Sequence, residues 1–581
     1  MDYFDLHVHP SLKPGLTEDP ERFDPWSDFP FYGGGLVSGL LLKSFRPIIS
    51  SQANLGMLKD TSVVSVVALI ALEKAFAGNF AIQKILARPD VSPLSRRLLN
   101  DIVKDRVSYH RLLLNDLAVL VEAPRQDEMK FIRKAGELEK GKVNLLLSVE
   151  GAHSFQSLPD NATPDKIAAS VLENFRRLKN DDRFRLHHLT LAHLSRQPAC
   201  VHCFGVKIQL LGVVNLTRDK NFQPDPARAG LSGLGRDIIR LCHESTESPP
   251  VLVDIKHMSW VARREFYNMR VDEGLRLPII ASHIGVTGTS FAASSVSRID
   301  RGNRPECDLV YWNRRRALRG CFFNPWTINL FDEDIIEVLQ SGGLLGVSFD
   351  QRILGYQKKF YGEYMSPAEV DQLDIETSTT LYAGAGDFDA PLENEDRNEM
   401  PFLLARNPSM ATFFADDGVA FHNDPADITG NDQLFDIDGM PGQQPAPDII
   451  ELTRPYDPDS TGGTHFDHLA NNILHIIRVG RAAGYDGSGA KPDVTSHICA
   501  GSDLDGIIDS INFSREGSGA IDDNNWMRAD KMKELALALE KSIIGCIAED
   551  PALQDLGLDA GSLVKKFTGE NGLRFIREHF A

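Results

Sequence analysis

The chain is poor in cysteine, has no long apolar run and carries no excess of positive charge, and each shortage closes off a class of protein. Seven cysteines, an odd number scattered over 581 residues, argue against a disulfide scaffold. Cys200 and Cys203 form one CxxC, in "ACVHCFG". Without a second pair it reads as two buried free thiols rather than a zinc site. No stretch reaches the roughly 18–20 apolar residues of a membrane helix. The opening "MDYFDLHVHP" lacks the basic start and apolar run of a signal peptide, and the closing "GLRFIREHFA" is too polar for a lipid-anchor signal. A cytoplasmic protein without membrane contact is therefore expected. Lys and Arg number 62 against 81 Asp and Glu, and the net charge of -19 disfavours nucleic acid, a polyanion, as a partner.

What the sequence does have is ordinary globular composition and a repeated strand–helix pattern. Eight short apolar, β-branched runs end in polar residues: 3–9, 62–70, 143–150, 186–193, 250–257, 277–283, 343–349 and 497–503. Helix-period segments lie between most of them, among them "DKIAASVLENFRRLKN", "GLGRDIIRLCHES" and "SWVARREFYNMR". "DEDIIEVLQSGG" adds acids in its first turn and glycine past its end. Continuous apolar strands alternating with amphipathic helices imply a parallel sheet, and eight such units imply a (β/α)8 barrel. The expectation is a single elaborated barrel spanning 1–581, with insertions at about 11–140 and 351–465. The first is irregular and then mostly helical; the second is acidic and rich in Asp, Pro and Gly. Residues 526–580 read as closing helices.

The ionisable residues fall at the ends of these runs. His7 and His9 end the first, Glu150 the third, His193 "LTLAH", His257 "VDIKH", His283 "IIASH" and Asp503 "CAGSD". In a barrel the C-terminal strand ends converge on one cavity. Residues i and i+2 of a strand share a face, so both imidazoles of HxH can grip one ion. Imidazole and carboxylate suit zinc-like divalent ions. The set exceeds what one open catalytic site needs, and it suits two ions bridged by Glu150. His153 is a candidate support for Glu150. Of His187 and His188, one is expected to face the core and one the helices. His422, His465, His468 and His475 read as structural or surface residues.

Several longer blocks carry a resemblance. "SVEGAHSF", "LHHLTLAHLS", "GLSGLGRDIIRLCHE" leading into "VLVDIKHMS", "PIIASHIG", "GGLLGVSFD", "GSDLDG" and "FTGENGLRFI" resemble, in order and spacing, the membrane (renal-type) dipeptidases of the amidohydrolase superfamily. The match runs over about 140–350 and 466–580. It implies a distorted (β/α)8 barrel holding two divalent ions, with zinc expected in such a donor set. His7, His9 and Glu150 would hold one ion, and Glu150, His257 and His283 the other. Asp503 would be the acid/base carboxylate, and His193 would contact the substrate's carbonyl oxygen. The implied activity is hydrolysis of an amide (peptide) bond in a small molecule by metal-activated water, in a chain that pairs as a homodimer.

Two positions depart from the family. His9 stands where the dipeptidases have Asp, which removes a negative charge from the site. Ile328, in "PWTINLFDED", stands where they carry the arginine that binds the substrate's terminal carboxylate. Arg314, Arg315, Arg316, Arg319 and Arg352 are the available substitutes. Two other readings follow from the departures: a hydrolase of a lactone, ester or cyclic amide without a free carboxylate, or an inactive barrel kept as a binding module.

Overall fold

The computed structural model describes residues 3–19, 22–32, 46–79, 81–205, 222–294, 317–356, 363–373, 463–489, 491–513 and 525–581, with short pieces at 209–210, 214–215, 296–299, 307–311 and 375. Eight parallel strands form one sheet: β1 Tyr3–Val8, β2 Ser62–Ile70, β3 Val143–Glu150, β4 Leu186–Thr190, β5 Leu252–Asp254, β6 Ile279–Ile284, β7 Leu344–Val347 and β8 Ile498–Ala500. They are paired in chain order, and a short strand, Met129–Phe131, adds to β3 from outside this path. The last strand returns to the first. Val8 bridges Leu504 in parallel, Asp503 N–H donates to the His7 carbonyl and His9 N–H to the Leu504 carbonyl, both at 2.9 Å. The sheet is thus a (β/α)8 barrel, and every run read from the sequence supplies one of its strands.

The described strand residues are almost all buried, as expected of strands covered on both faces. Helices connect successive strands from β2 onward, α1 Tyr109–Val121, α2 Pro164–Lys179, α3 Gly233–His243, α4 Trp260–Asp272, α5 Asp332–Gln340 and α6 His465–Ala482, and α7 Met532–Glu549 and α8 Asn571–His579 follow the last strand. Their ends follow local chemistry. α2 starts with Pro164, has Asp165 in its first turn and ends in Arg176, Arg177 and Lys179. α5 opens with Asp332, Glu333 and Asp334, and Gly342 beyond its end takes φ +74°.

Two buried carboxylates tie strands together inside the barrel. Asp5 accepts from the backbone and hydroxyl of Ser502 (2.9 and 2.5 Å), from His7 N–H and from Tyr3 Oη. Asp254 accepts from Thr190 Oγ1, from Ser282 N–H and Oγ, and from Lys256 N–H. One joins β1 to the end of β8 and the other joins β4, β5 and β6, so the strand ends that carry the site are cross-braced. At the narrow side, a Cβ on Gly346 or Gly501 would lie 2.0 or 1.8 Å from the Ser282 carbonyl, so only glycine permits this approach.

Most of the insertion at 351–465 lies outside the described residues, as do His422 and Arg314–Arg316. The described part of the first insertion is largely helical from 74 to 121, as the sequence implied. The helix-rich segment after residue 526 closes the barrel through α7 and α8. No helix among the described residues is long and apolar enough to cross a membrane.

Candidate metal centre and pocket

The seven residues singled out from the sequence meet at the C-terminal end of the barrel. Three overlapping triads have ligand atoms within 4.8 Å of one another: His7, Glu150 and His283; His7, His9 and Asp503; Glu150, His193 and His257. Glu150, the last residue of β3, sits at their centre. Its Oε1 lies 3.2 Å from His257 Nε2 and 3.5 Å from His283 Nε2. Its Oε2 lies 3.6 Å from His7 Nε2 and 3.4 Å from His9 Nε2. The two oxygens thus serve separate histidine pairs. Within each pair the Nε2 atoms are 3.0 Å (His7, His9) and 3.1 Å (His257, His283) apart. Two ligands on a tetrahedral ion with bonds of about 2.0–2.1 Å stand roughly 3.3 Å apart, so the spacing is close to that of a shared coordination sphere.

The ring nitrogens of His257 and His283 are in the state that binds cations. Ser282 Oγ donates to Asp254 Oδ2 (2.7 Å), so at 2.8 Å from His283 Nδ1 it accepts the imidazole's proton. His283 is thereby fixed with a bare lone pair on Nε2, facing Glu150. Burial holds His283 well below its usual value and lowers His257 to about 3, both unprotonated. Glu150 Oε1 thus faces two unprotonated imidazole nitrogens, and divalent cations match such a donor set.

The strands stop short of several of these residues. β4 ends at Thr190, β5 at Asp254 and β8 at Ala500, so His193, His257 and Asp503 each stand three residues beyond a strand rather than at its end. His257 and Asp503 take φ of +64° and +60°, the left-handed region rarely used by non-glycine residues. The turn aims each side chain back over the barrel axis.

Asp503 Oδ1 is 3.4 Å from His9 Nε2 and 4.0 Å from His7 Nε2. Burial raises its carboxyl above the usual range, against the opposing pull of His9 and His7. His193 Nε2 is 3.8 Å from Glu150 Oε2, and its Nδ1 is 2.5 Å from Glu73 Oε1. Burial opposes the imidazolium, but Glu73 and Glu150 outweigh it and raise His193 to about 9. Glu73 is buried too, a penalty that the adjacent His193 overcomes, holding it below the usual carboxylate range.

Glu73 is a site residue that the strand-end reading missed, although it stands three residues past β2 just as His193 does past β4. His153 does not reach the Glu150 carboxylate; its Nε2 meets the Ala71 carbonyl at 2.9 Å, and Ser154 Oγ bonds the Glu150 carbonyl instead. His187 stacks on Phe580 on the helix side and His188 lies inside near His7, as expected of an alternating pair. His465, His468 and His475 lie on α6, the first two buried and the third 2.7 Å from Asp332. Cys200 and Cys203 are buried free thiols, and burial pushes both up in pKa, Cys203 to about 12.

The cluster opens into a pocket. Phe76, Phe222 and Leu72 line the side near His193. Ile328, Lys256 and Arg352 also line it. Ile328 is buried and packs with Phe204, Trp326 and Ile353. Arg319 turns away, to Asp467 and Glu549.

No family model and no curated protein matches the chain. Solved structures do. A probable dipeptidase of Pseudomonas aeruginosa is 12% identical, with a TM-score of 0.40, over 91% of this chain and 89% of that one. A metallo peptidase of Rhodobacter sphaeroides, solved with a phosphinate mimic of the dipeptide L-Ala-D-Ala, is 12% identical at a TM-score of 0.41, over 100% and 99%. An amidohydrolase, also of Pseudomonas aeruginosa, is 10% identical at 0.36, over 100% and 96%.

Proposed function

We propose that the protein is a metal-dependent hydrolase that cleaves an amide bond of a small molecule. The observation that carries this reading is the division of Glu150: one oxygen faces His257 and His283, the other His7 and His9. Those five residues would hold two divalent ions with Glu150 between them, and zinc suits imidazole and carboxylate donors. When bound, the ions supply Lewis-acid activation of a water and of the scissile carbonyl.

The remaining work belongs to side chains. His193, kept cationic by Glu73, donates a hydrogen bond from Nε2 to the substrate's carbonyl oxygen and stabilises the negative charge that grows there. Asp503 takes a proton from the attacking water and returns it to the leaving nitrogen; its raised pKa brings it nearer to the middle of that exchange. Phe76, Phe222 and Leu72 keep bulk water from the reacting atoms.

The test is metal analysis of protein purified without chelator, followed by a dipeptide panel assayed on loaded and stripped protein. Two ions per chain and metal-dependent turnover are expected. Fewer than one ion per chain, with no turnover after loading, would sink the reading and leave the binding module in its place.

A second reading keeps the site and changes the bond. Ile328 gives an apolar wall where a carboxylate-binding arginine was expected, which favours a lactone, ester or cyclic amide. A lactone and ester panel run beside the dipeptides separates the two.

A further inference from the structure

The pocket contains a cation that the proposed chemistry leaves unused. Lys256 follows β5 and immediately precedes His257. Its side chain lines the same pocket as His257, His283 and Asp503, yet it is buried, and its Nζ has no hydrogen-bond partner among the described residues. The chain holds the root of the side chain in place: Lys256 N–H donates to Asp254 Oδ1 at 3.1 Å. Asp254, Asp503 and Asp350 are the acidic groups facing it, and none of them pairs with it.

Arg352 lines the same pocket and is also buried, but it is held. Its Nε lies 2.9 and 3.1 Å from the two Asp350 oxygens, and its Nη2 lies 2.5 Å from Asp350 Oδ2 and 3.5 Å from the Ile507 carbonyl. Asp350 stands three residues past β7, the offset at which His193, His257 and Asp503 also stand. Asp350 thereby fixes the guanidinium in the wall and neutralises it. Of the two basic side chains, only Lys256 has its terminal nitrogen without a partner among the described residues.

An ammonium removed from water without a partner is strongly unfavourable, and buried polar groups in native structures are satisfied by protein, water or ligand. We propose that Lys256 is the seat for a carboxylate on the substrate. The proposal rests on the hydrolase reading and specifies its substrate class: an amide with a free carboxylate near the scissile bond and an apolar side chain facing Phe76 and Phe222. Carboxylate recognition is then not lost with the apolar Ile328; it is supplied from the turn after β5.

The experiment compares two probes that lack the scissile amide on zinc-loaded protein, 2-benzyl-4-oxopentanoic acid and 2-benzyl-4-oxopentanamide, the ketomethylene analogues of an N-acylphenylalanine and its amide, by titration calorimetry. Wild type is expected to bind the carboxylate form about tenfold more tightly, in line with a charge-assisted contact. Lys256→Met abolishes the preference, leaves binding of the amide form and the metal content unchanged, and does not lower the melting temperature, because it removes an unpartnered charge. Lys256→Arg restores part of the preference; Lys256→Gln replaces the Met variant if that one does not purify. The proposal is overturned if wild type shows no preference, if the preference survives intact in Lys256→Met, as a carboxylate seated on the metals would produce, or if both probes weaken equally. A Lys256-dependent preference without turnover of any amide keeps the seat and removes the hydrolase reading. Amide turnover without the preference does the reverse.

Discussion

His193 Nδ1 and Glu73 Oε1 stand 2.5 Å apart at the wall of the pocket, Glu73 buried and His193 partly so. This contact fixes the imidazole's orientation and keeps it protonated, with its value raised to about 9. The cation is present below that value and is lost as pH rises through it. Glu73→Gln removes the charge but keeps the shape. Its kcat/KM is expected to fall by about 10- to 100-fold, as for other supporting partners of site histidines. The alkaline limb of its pH profile moves to lower pH while metal content is unchanged. An unmoved limb would show that Glu73 only packs.

Asp503→Asn tests the proton carrier. The amide fills the same space beside His9 but does not exchange a proton with water. At least a hundredfold loss in kcat is expected, with metal analysis unaltered. Near-normal turnover would remove Asp503 from the mechanism.

Glu150→Gln tests the division of the carboxylate between the two histidine pairs. Loss of the negative charge should lower metal content on both sides, to fewer than two ions per chain. Chelation of wild type should lower its melting temperature, and returning zinc should restore it, since ligand at about a thousand times its dissociation constant stabilises by about 4 kcal/mol. A melting curve indifferent to chelator would argue against a resident metal.

Glu369 offers a pH test away from the metal cluster. Burial raises its carboxyl to about 7, despite bonds from Ser259 Oγ and Gly230 N–H, and its Oε2 has no partner among the described residues. The folded state therefore binds this proton more tightly than the unfolded state. Its contribution favours folding least above about pH 7 and improves as pH falls toward the ordinary glutamate range. Glu369→Gln mimics the protonated form. Its advantage over wild type should grow between about pH 4.5 and 7, to at most about 3 kcal/mol, and then level off. Denaturant melts at pH 5 and 8 measure it; an equal difference at both would contradict the assignment.

The barrel was legible because each strand combines an apolar run with a polar tail, and that pattern survives without any knowledge of packing. His7, His283 and Glu150 were legible for the same reason, since they lie within or at the end of their strands, and His9 follows its strand directly. Glu73 was hidden because "LEKAF" reads as the start of a helix, where a glutamate is unremarkable, and residues 74–77 are indeed helical. His153 misled because nearness in sequence to Glu150 does not decide direction; the positive φ of Gly151 turns the chain, and the ring meets the Ala71 carbonyl. Lys256 was masked by its neighbour His257, and its isolation depends on which groups fail to reach it, which no spacing encodes.

The left-handed backbone at His257 and Asp503 also bears on how such a protein ages. Each costs about 1–2 kcal/mol relative to a relaxed residue, and only the direction of the side chain justifies it. A lineage freed from its substrate would drift at these two positions first, toward glycine or asparagine, becoming more heat-resistant as it fell silent. Glycine at either position would relieve the backbone, at the expense of the side chain it carries.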